Sequence, residues 1–301
     1  MSVEQEYSEP RPTREISLLE TGGSGSYVLA SGGSAELARL MRLDVLLTQG
    51  MGGIFPEQPD LASVQSILDL ACGPGAWTLE VAYKYSDVEV VGVDINTETI
   101  SYAIAQATAL QRSNAHFQVM DILQPLAFPD ASFDLVNARY IVGFMHPEQW
   151  PMLMQECLRV LRPGGILRMT EYEWAGANKP AFEQICTILS LAMSRAGYTF
   201  SPRGSYIGLI AVLPRLFRDA HLQNIHKMAH ALEFSADTEV RDSFHYNFAS
   251  ACQTLTPFVV KYGLATEAAW QALYQQGLSE MYLEDFCAMW ILLTVWGYKP
   301  A

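Results

Sequence analysis

SILDLACGPGAW (residues 66–77) is an apolar, strand-like run that breaks on two closely spaced glycines, Gly73 and Gly75, with an aspartate, Asp69, inside the run. The glycines bare the main chain where a strand would end. In an open α/β sheet, ligands bind beyond the carboxyl ends of the strands. Working outward, residues 76–85 read as a helix and VEVVGVD (88–94) as a second strand. The next helix carries Ile100, Ala103, Ile104, Ala107 and Leu110 on one face, and HFQVMD (116–121) and FDLVNAR (133–139) are the third and fourth strands. A helix over 147–161 is striped by Trp150, Leu153, Met154, Cys157, Leu158 and Leu161, with Pro147 in its first turn. RPGG ends it, and ILRMTEYE (166–173) is a fifth strand. Strands alternating with helices predict a doubly wound, mainly parallel sheet with right-handed crossovers.

Beyond Glu173 the rhythm changes. Two apolar helices are expected over 180–197 and 205–219, a strand over about 224–234, more helix over 237–284, and a last strand over 286–298. Upstream, residues 1–33 are polar and glycine-rich and read as a flexible segment, while AELARLMRLDVLL after Ser34 has helical spacing, with Ser34 as its expected N-cap.

The 301 residues carry a net charge of −13, concentrated early: residues 1–173 hold 10 Lys/Arg against 22 Asp/Glu, the remainder 9 against 10. Such an acidic body disfavours a nucleic-acid partner. Five scattered cysteines without a C-x-x-C pair predict neither a disulfide framework nor a zinc site, and no other metal-ligand spacing stands out. The polar N-terminus does not read as a signal peptide, and no apolar run is long enough to span a membrane. A cytoplasmic protein is expected.

Two families use a glycine corner of this kind. A dinucleotide fold wants a third glycine where Thr78 stands and has no special use for Asp69. The corner resembles instead motif I of class I S-adenosylmethionine-dependent methyltransferases, and the later strand ends fall in the same order over residues 66–171. The resemblance implies a seven-stranded sheet with an antiparallel last strand and S-adenosyl-L-methionine as cofactor. It assigns Gly73 and Gly75 to the methionine end of that ligand, and Asp69 to orienting the turn and accepting from the ligand's ammonium group. Asp94, with Ile95 beside it, takes the ribose hydroxyls. Asp121 takes the adenine amino group, the amide of Ile122 reaches a ring nitrogen, and Asn137 lines the methionine end. Tyr27 resembles the closing residue of an N-terminal lid, although a tyrosine packed on the core fits as well. An acid at Asp94 also suits NAD, so that position alone does not discriminate.

On this reading the chain divides into an N-terminal segment (1–33), a cofactor-binding core (34–173), a helical insert (174–222), a core strand (223–236), a second helical insert (237–285) and the last core strand (286–301). Both inserts leave the ligand side of the sheet and are rich in apolar and aromatic residues, which predicts a cap enclosing a small hydrophobic substrate; a homodimer surface is the rival use. The expected reaction is methylation of oxygen or carbon on a small metabolite of natural-product type, giving S-adenosyl-L-homocysteine. A cofactor-binding relative that catalyses another reaction, such as a cyclisation, shares every motif, and an NAD-dependent oxidoreductase is the remote alternative. Candidate catalytic residues are His146 and Tyr140, both just past strand four. For His146 a cap-like role before Pro147 is the favoured alternative.

Overall fold

The computed structural model describes residues 33–57 and 61–301; the N-terminal segment with Tyr27 lies outside them. The core is built from β1 (Ser66–Leu70), α2 (Ala76–Lys84), β2 (Glu89–Asp94), α3 (Thr97–Ala109), β3 (Ala115–Val119), β4 (Phe133–Arg139), α4 (Trp150–Val160) and β5 (Leu161–Tyr172), preceded by α1 (Ser34–Gly50). A two-residue β6 (Gly176–Ala177), α5 (Pro180–Arg195), α6 (Leu209–Asp219) and β7 (Gln223–Glu233) follow. The chain closes with α7 (Arg241–Thr254), α8 (Thr256–Lys261), α9 (Glu267–Glu280) and β8 (Ala288–Tyr298).

Seven long strands form one sheet in the order β3-β2-β1-β4-β5-β8-β7, and β6 also pairs with β8. The first five run parallel, while β8 is antiparallel to β5, β6 and β7. Strand alternation sorts the sheet's two faces. Ile67, Val90, Leu135 and Ile166 pack under α2 and α3, whereas Leu68, Val136 and Leu167 pack under α4 and α6. Since both faces are covered, the strands read as nearly continuous apolar runs.

The two helices between β5 and β7 have different roles. α6 lies on the sheet, burying Leu209, Leu213 and Phe217, and acts as the ordinary crossover. α5 joins α7, α8 and α9 in a separate core around Phe182, Ile185, Trp270 and Phe286, to which α1 contributes Leu47. The Glu280 carboxylate ties this second layer together: from the end of α9 it accepts from the amides of Ala181 and Phe182 at 3.2 and 3.0 Å, capping the positive end of α5.

Several boundaries differ from the sequence-based expectation. Ser34 is the first helical residue and Gly33 stands at the N-cap. The helix expected from 147 opens as a 3-10 turn over Pro147–Gln149 and becomes α-helical at Trp150. The helix expected from 205 starts at Leu209, because Gly208 takes a left-handed conformation just before it (φ 77°).

Candidate functional site

A cavity of about 470 Å³ opens over the carboxyl ends of β1, β2 and β4 and is roofed by α1, α5 and α7. At its floor the chain leaves β1 through three positive-φ residues, Ala71 (52°), Gly73 (55°) and Gly75 (85°). The two glycines have different reasons. A Cβ at Gly73 would meet nothing within 4 Å, so that backbone lies open to the cavity. A Cβ at Gly75 would come within 2.7 Å of the Phe117 ring, so that glycine exists for packing. Of the two glycines expected to pass under a ligand, Gly73 lines the cavity and Gly75 does not.

Asp69, Asp94, Asp121, Ile95 and Ile122 all line the cavity. Asp94 accepts from the amides of Gly73 (3.1 Å) and Asn96 (2.9 Å), which fixes its carboxylate at the corner. Burial raises its pKa, against the pull of those amides. Asp121 Oδ1 accepts from the Leu123 amide at 2.9 Å. Asn137 is fully buried and does not line the cavity, because its amide is spent behind it. Its Nδ2 donates to Asp69 Oδ1 (2.8 Å), and its Oδ1 accepts from Arg168 (2.7 Å). Arg168 in turn pairs with Glu57. Thr78 Oγ1 donates to Asp69 Oδ2 at 2.7 Å. Asp69 thus ends a buried polar ladder, and burial raises its pKa to about 6 even though Arg139, Thr78 and Asn137 oppose the shift.

The roof brings residues that the motifs did not single out. Arg39 of α1 pairs with Glu36 and donates to Asn247 of α7, bridging two helices of the roof. Arg139, at the end of β4, donates to Asp44 and to Thr48 of α1 (3.1 Å for Thr48) and sits 5.4 Å from the ring centroids of Trp77 and Tyr140. Asp44 Oδ2 is buried and bonded to nothing among the described residues. Asp44 and Arg139 lie 95 positions apart, so no spacing rule links them; the one sequence signal was Arg139's place at a strand end.

Away from the acids the wall is apolar. Tyr172 meets Tyr140, Trp174 and Trp290 with centroid separations of 6.2, 5.8 and 5.4 Å, and Leu189, Met193 and Phe258 complete that end. The Trp174 Nε1 donor is buried there and has no acceptor among the described residues.

The two candidate catalytic residues part company. Tyr140 lines the cavity in a left-handed conformation (φ 60°), and burial pushes its phenol pKa up, so it can donate a hydrogen bond but is a poor base. His146 does not line the cavity. Its ring packs 4.8 Å from Tyr198, with Nδ1 at 3.2 Å from the Gly197 carbonyl, and its amide donates to Gln149 Oε1 at 2.7 Å. These contacts are those of the cap-like alternative. Among the described residues no group of three or more His, Cys, Asp or Glu side chains could hold a metal ion, and no helix is long and apolar enough to cross a membrane.

Residues 67–165 match the family model described as "Methyltransferase domain". The chain is 34% identical over 115 residues to "Probable methyltransferase ltbC" of Aspergillus luteorubrus, covering 36% of this chain and 40% of that one. It is 28% identical over 195 residues to "Ajmaline N-methyltransferase" of Rauvolfia serpentina, covering 63% of each. The chain therefore spans less than two thirds of the length of either relative. Its fold is shared with phosphoethanolamine N-methyltransferase 2 of Haemonchus contortus, solved with S-adenosyl-L-methionine: TM-score 0.52, 18% identity, 84% of this chain and 52% of that one.

Proposed function

We propose, on the premise that residues 67–165 form a class I methyltransferase domain, that this protein transfers a methyl group from S-adenosylmethionine to a small apolar acceptor, leaving S-adenosylhomocysteine. The observation that carries this reading is a single cavity running from the acid-lined glycine corner to an aromatic chamber. One end suits adenosine and methionine, the other an apolar skeleton.

The residues fit that cofactor. Each Asp94 oxygen accepts one amide, and a carboxylate has about four acceptor sites, so two remain for a ribose diol. Asp121 keeps Oδ2 for the adenine amino group, with Ile95 and Ile122 flanking the ring. The open backbone at Gly73 admits the ligand closely. When bound, the cofactor supplies a methyl group already activated on a sulfonium, so alignment is most of what the protein must add.

Tyr172, Trp174, Leu189, Met193, Phe258 and Trp290 hold the acceptor skeleton and exclude water. The Trp174 indole N–H offers the acceptor a hydrogen bond. On this reading α1, α5 and α7–α9 form the substrate cap over a core that begins with β1, and Tyr140 offers a hydrogen bond and does not act as the base. Oxygen and carbon nucleophiles are the expected receiving atoms. Nitrogen joins them, because a relative matched over 63% of each chain is named as an N-methyltransferase.

The test is calorimetry with S-adenosylmethionine beside NAD, and Asp94→Ala as control. Binding of S-adenosylmethionine that the substitution abolishes supports the reading and justifies screening apolar acceptors with labelled methyl donor. A clear NAD signal with none for S-adenosylmethionine overturns it.

A further inference from the structure

Resting on the cofactor reading above, we propose that the ammonium group at the methionine end is received by Asp44 of α1, outside the matched domain, and not by Asp69, the acid of β1.

Each Asp69 oxygen already carries a buried donor. Thr78 Oγ1 donates to one oxygen at 2.7 Å and Asn137 Nδ2 to the other at 2.8 Å. Neither donor can turn away cheaply. Asn137 is oriented by Arg168, whose Nη1 donates to its Oδ1 at 2.7 Å. Thr78 is wholly buried, with no water to replace Asp69. Asp69 is therefore an anion already held from both oxygens by buried donors, whose role is to hold the turn.

Asp44 is in the opposite condition. Asp44 lines the cavity; its Oδ1 accepts from Arg139, while its Oδ2 is buried with no partner among the described residues. A buried carboxylate oxygen left unpaired is costly, and an incoming N–H donor removes that cost. The position also fits. Leu40 and Leu47, one turn to either side of Asp44 on α1, line the same cavity. Its partner Arg139 sits 5.4 Å from the ring of Trp77, in the first turn of the helix that follows the glycine corner. Burial raises the pKa of Asp44 and Arg139 opposes the rise. Arg139, lining the cavity beside it, carries donors suited to the ligand's carboxylate. The pair presents opposite charges to a zwitterion.

The experiment compares S-adenosylmethionine with 5′-methylthioadenosine, which keeps the adenosine and thioether but lacks the amino-acid end, by calorimetry on wild type, Asp44→Asn and Asp69→Asn. Asp44→Asn keeps an oxygen for Arg139 but loses the charge. We expect it to weaken S-adenosylmethionine by about tenfold to a hundredfold and to leave methylthioadenosine within about twofold. Methylthioadenosine binding doubles as a check of folding, and Asp44→Ser is the substitute if Asp44→Asn fails that check. Equal weakening of both compounds, no weakening of either, or a selective loss of S-adenosylmethionine in Asp69→Asn overturns the assignment. A wild-type protein that binds neither compound overturns the cofactor reading itself, and this inference with it.

Discussion

The Thr78 hydroxyl donates to Asp69 Oδ2 at 2.7 Å, with both residues sealed from solvent. Thr78 stands where a dinucleotide-binding corner would place its third glycine, the one that lets helix and strand approach closely. Here the first turn of α2 spends that position on a hydrogen bond back to β1. The departure from the glycine pattern is therefore a tether, and the acid it holds is the one the dinucleotide pattern has no use for.

Thr78→Val keeps the shape and removes the donor. It leaves a buried carboxylate oxygen unsatisfied and should cost about 1–3 kcal/mol in stability, read by urea unfolding. Thr78→Ser should recover most of that loss. A valine variant as stable as wild type would mean the tether is idle.

The glycine pair should separate stability from binding. Gly75→Ala meets the Phe117 ring and a φ of 85°, so a loss of about 2–4 kcal/mol is expected. Gly73→Ala has open space and only a strained φ of 55°, costing about 1–2 kcal/mol. Its methyl projects into the cavity, so it should weaken S-adenosylmethionine more than its stability loss suggests. Thermal melting and calorimetry on both variants would show whether the two effects divide this way.

Glu171 is fully buried, its Oε1 accepts from the Ile141 amide at 2.8 Å, and its Oε2 has no partner among the described residues. Burial raises its pKa to about 8, so the native carboxyl is mostly neutral at pH 7. Unfolded, it would ionise in the ordinary carboxylate range. Between the two values the native state binds more protons, so stability falls as pH rises through this window, by a few kcal/mol on an order-of-magnitude basis. Below about pH 4 the contribution is fully present. Glu171→Gln should flatten that part of the stability–pH curve, and identical slopes for the two proteins would count against it. Asp69, raised to about 6, slopes the same way and is common to both.

Ala251 of α7 lines the cavity on the roof side. Ala251→Phe should crowd the acceptor end, lowering methylation of any acceptor found by screening at least about tenfold while S-adenosylmethionine affinity stays within about twofold. Equal losses of both would place Ala251 against the cofactor.

Much of the fold was legible because a two-sided parallel sheet writes itself as apolar runs, and because its strand ends carry glycine and acid signals. Asp69, Asp94 and Asp121 were readable from those ends, and all three reach the cavity. Asn137 and Gly75 were assigned to the ligand, and spacing along a strand or turn did not reveal the neighbours they meet: Arg168 for one, Phe117 for the other. His146 carried a plausible chemistry on the correct side of the sheet, but Tyr198 and Gly197, some fifty residues on, decide where its ring lies. Asp44 left no trace in the sequence, because an amphipathic helix with two acids among leucines looks like any solvated face.

The Glu280 cap on α5 joins two connections that leave the sheet at different strands. Neither can be inherited or transplanted alone. A chimera that borrows only the segment after β5 presents uncapped amides at the start of α5, and one that borrows only the segment after β7 buries a carboxylate with no donor. The smallest exchangeable module is therefore both insertions together.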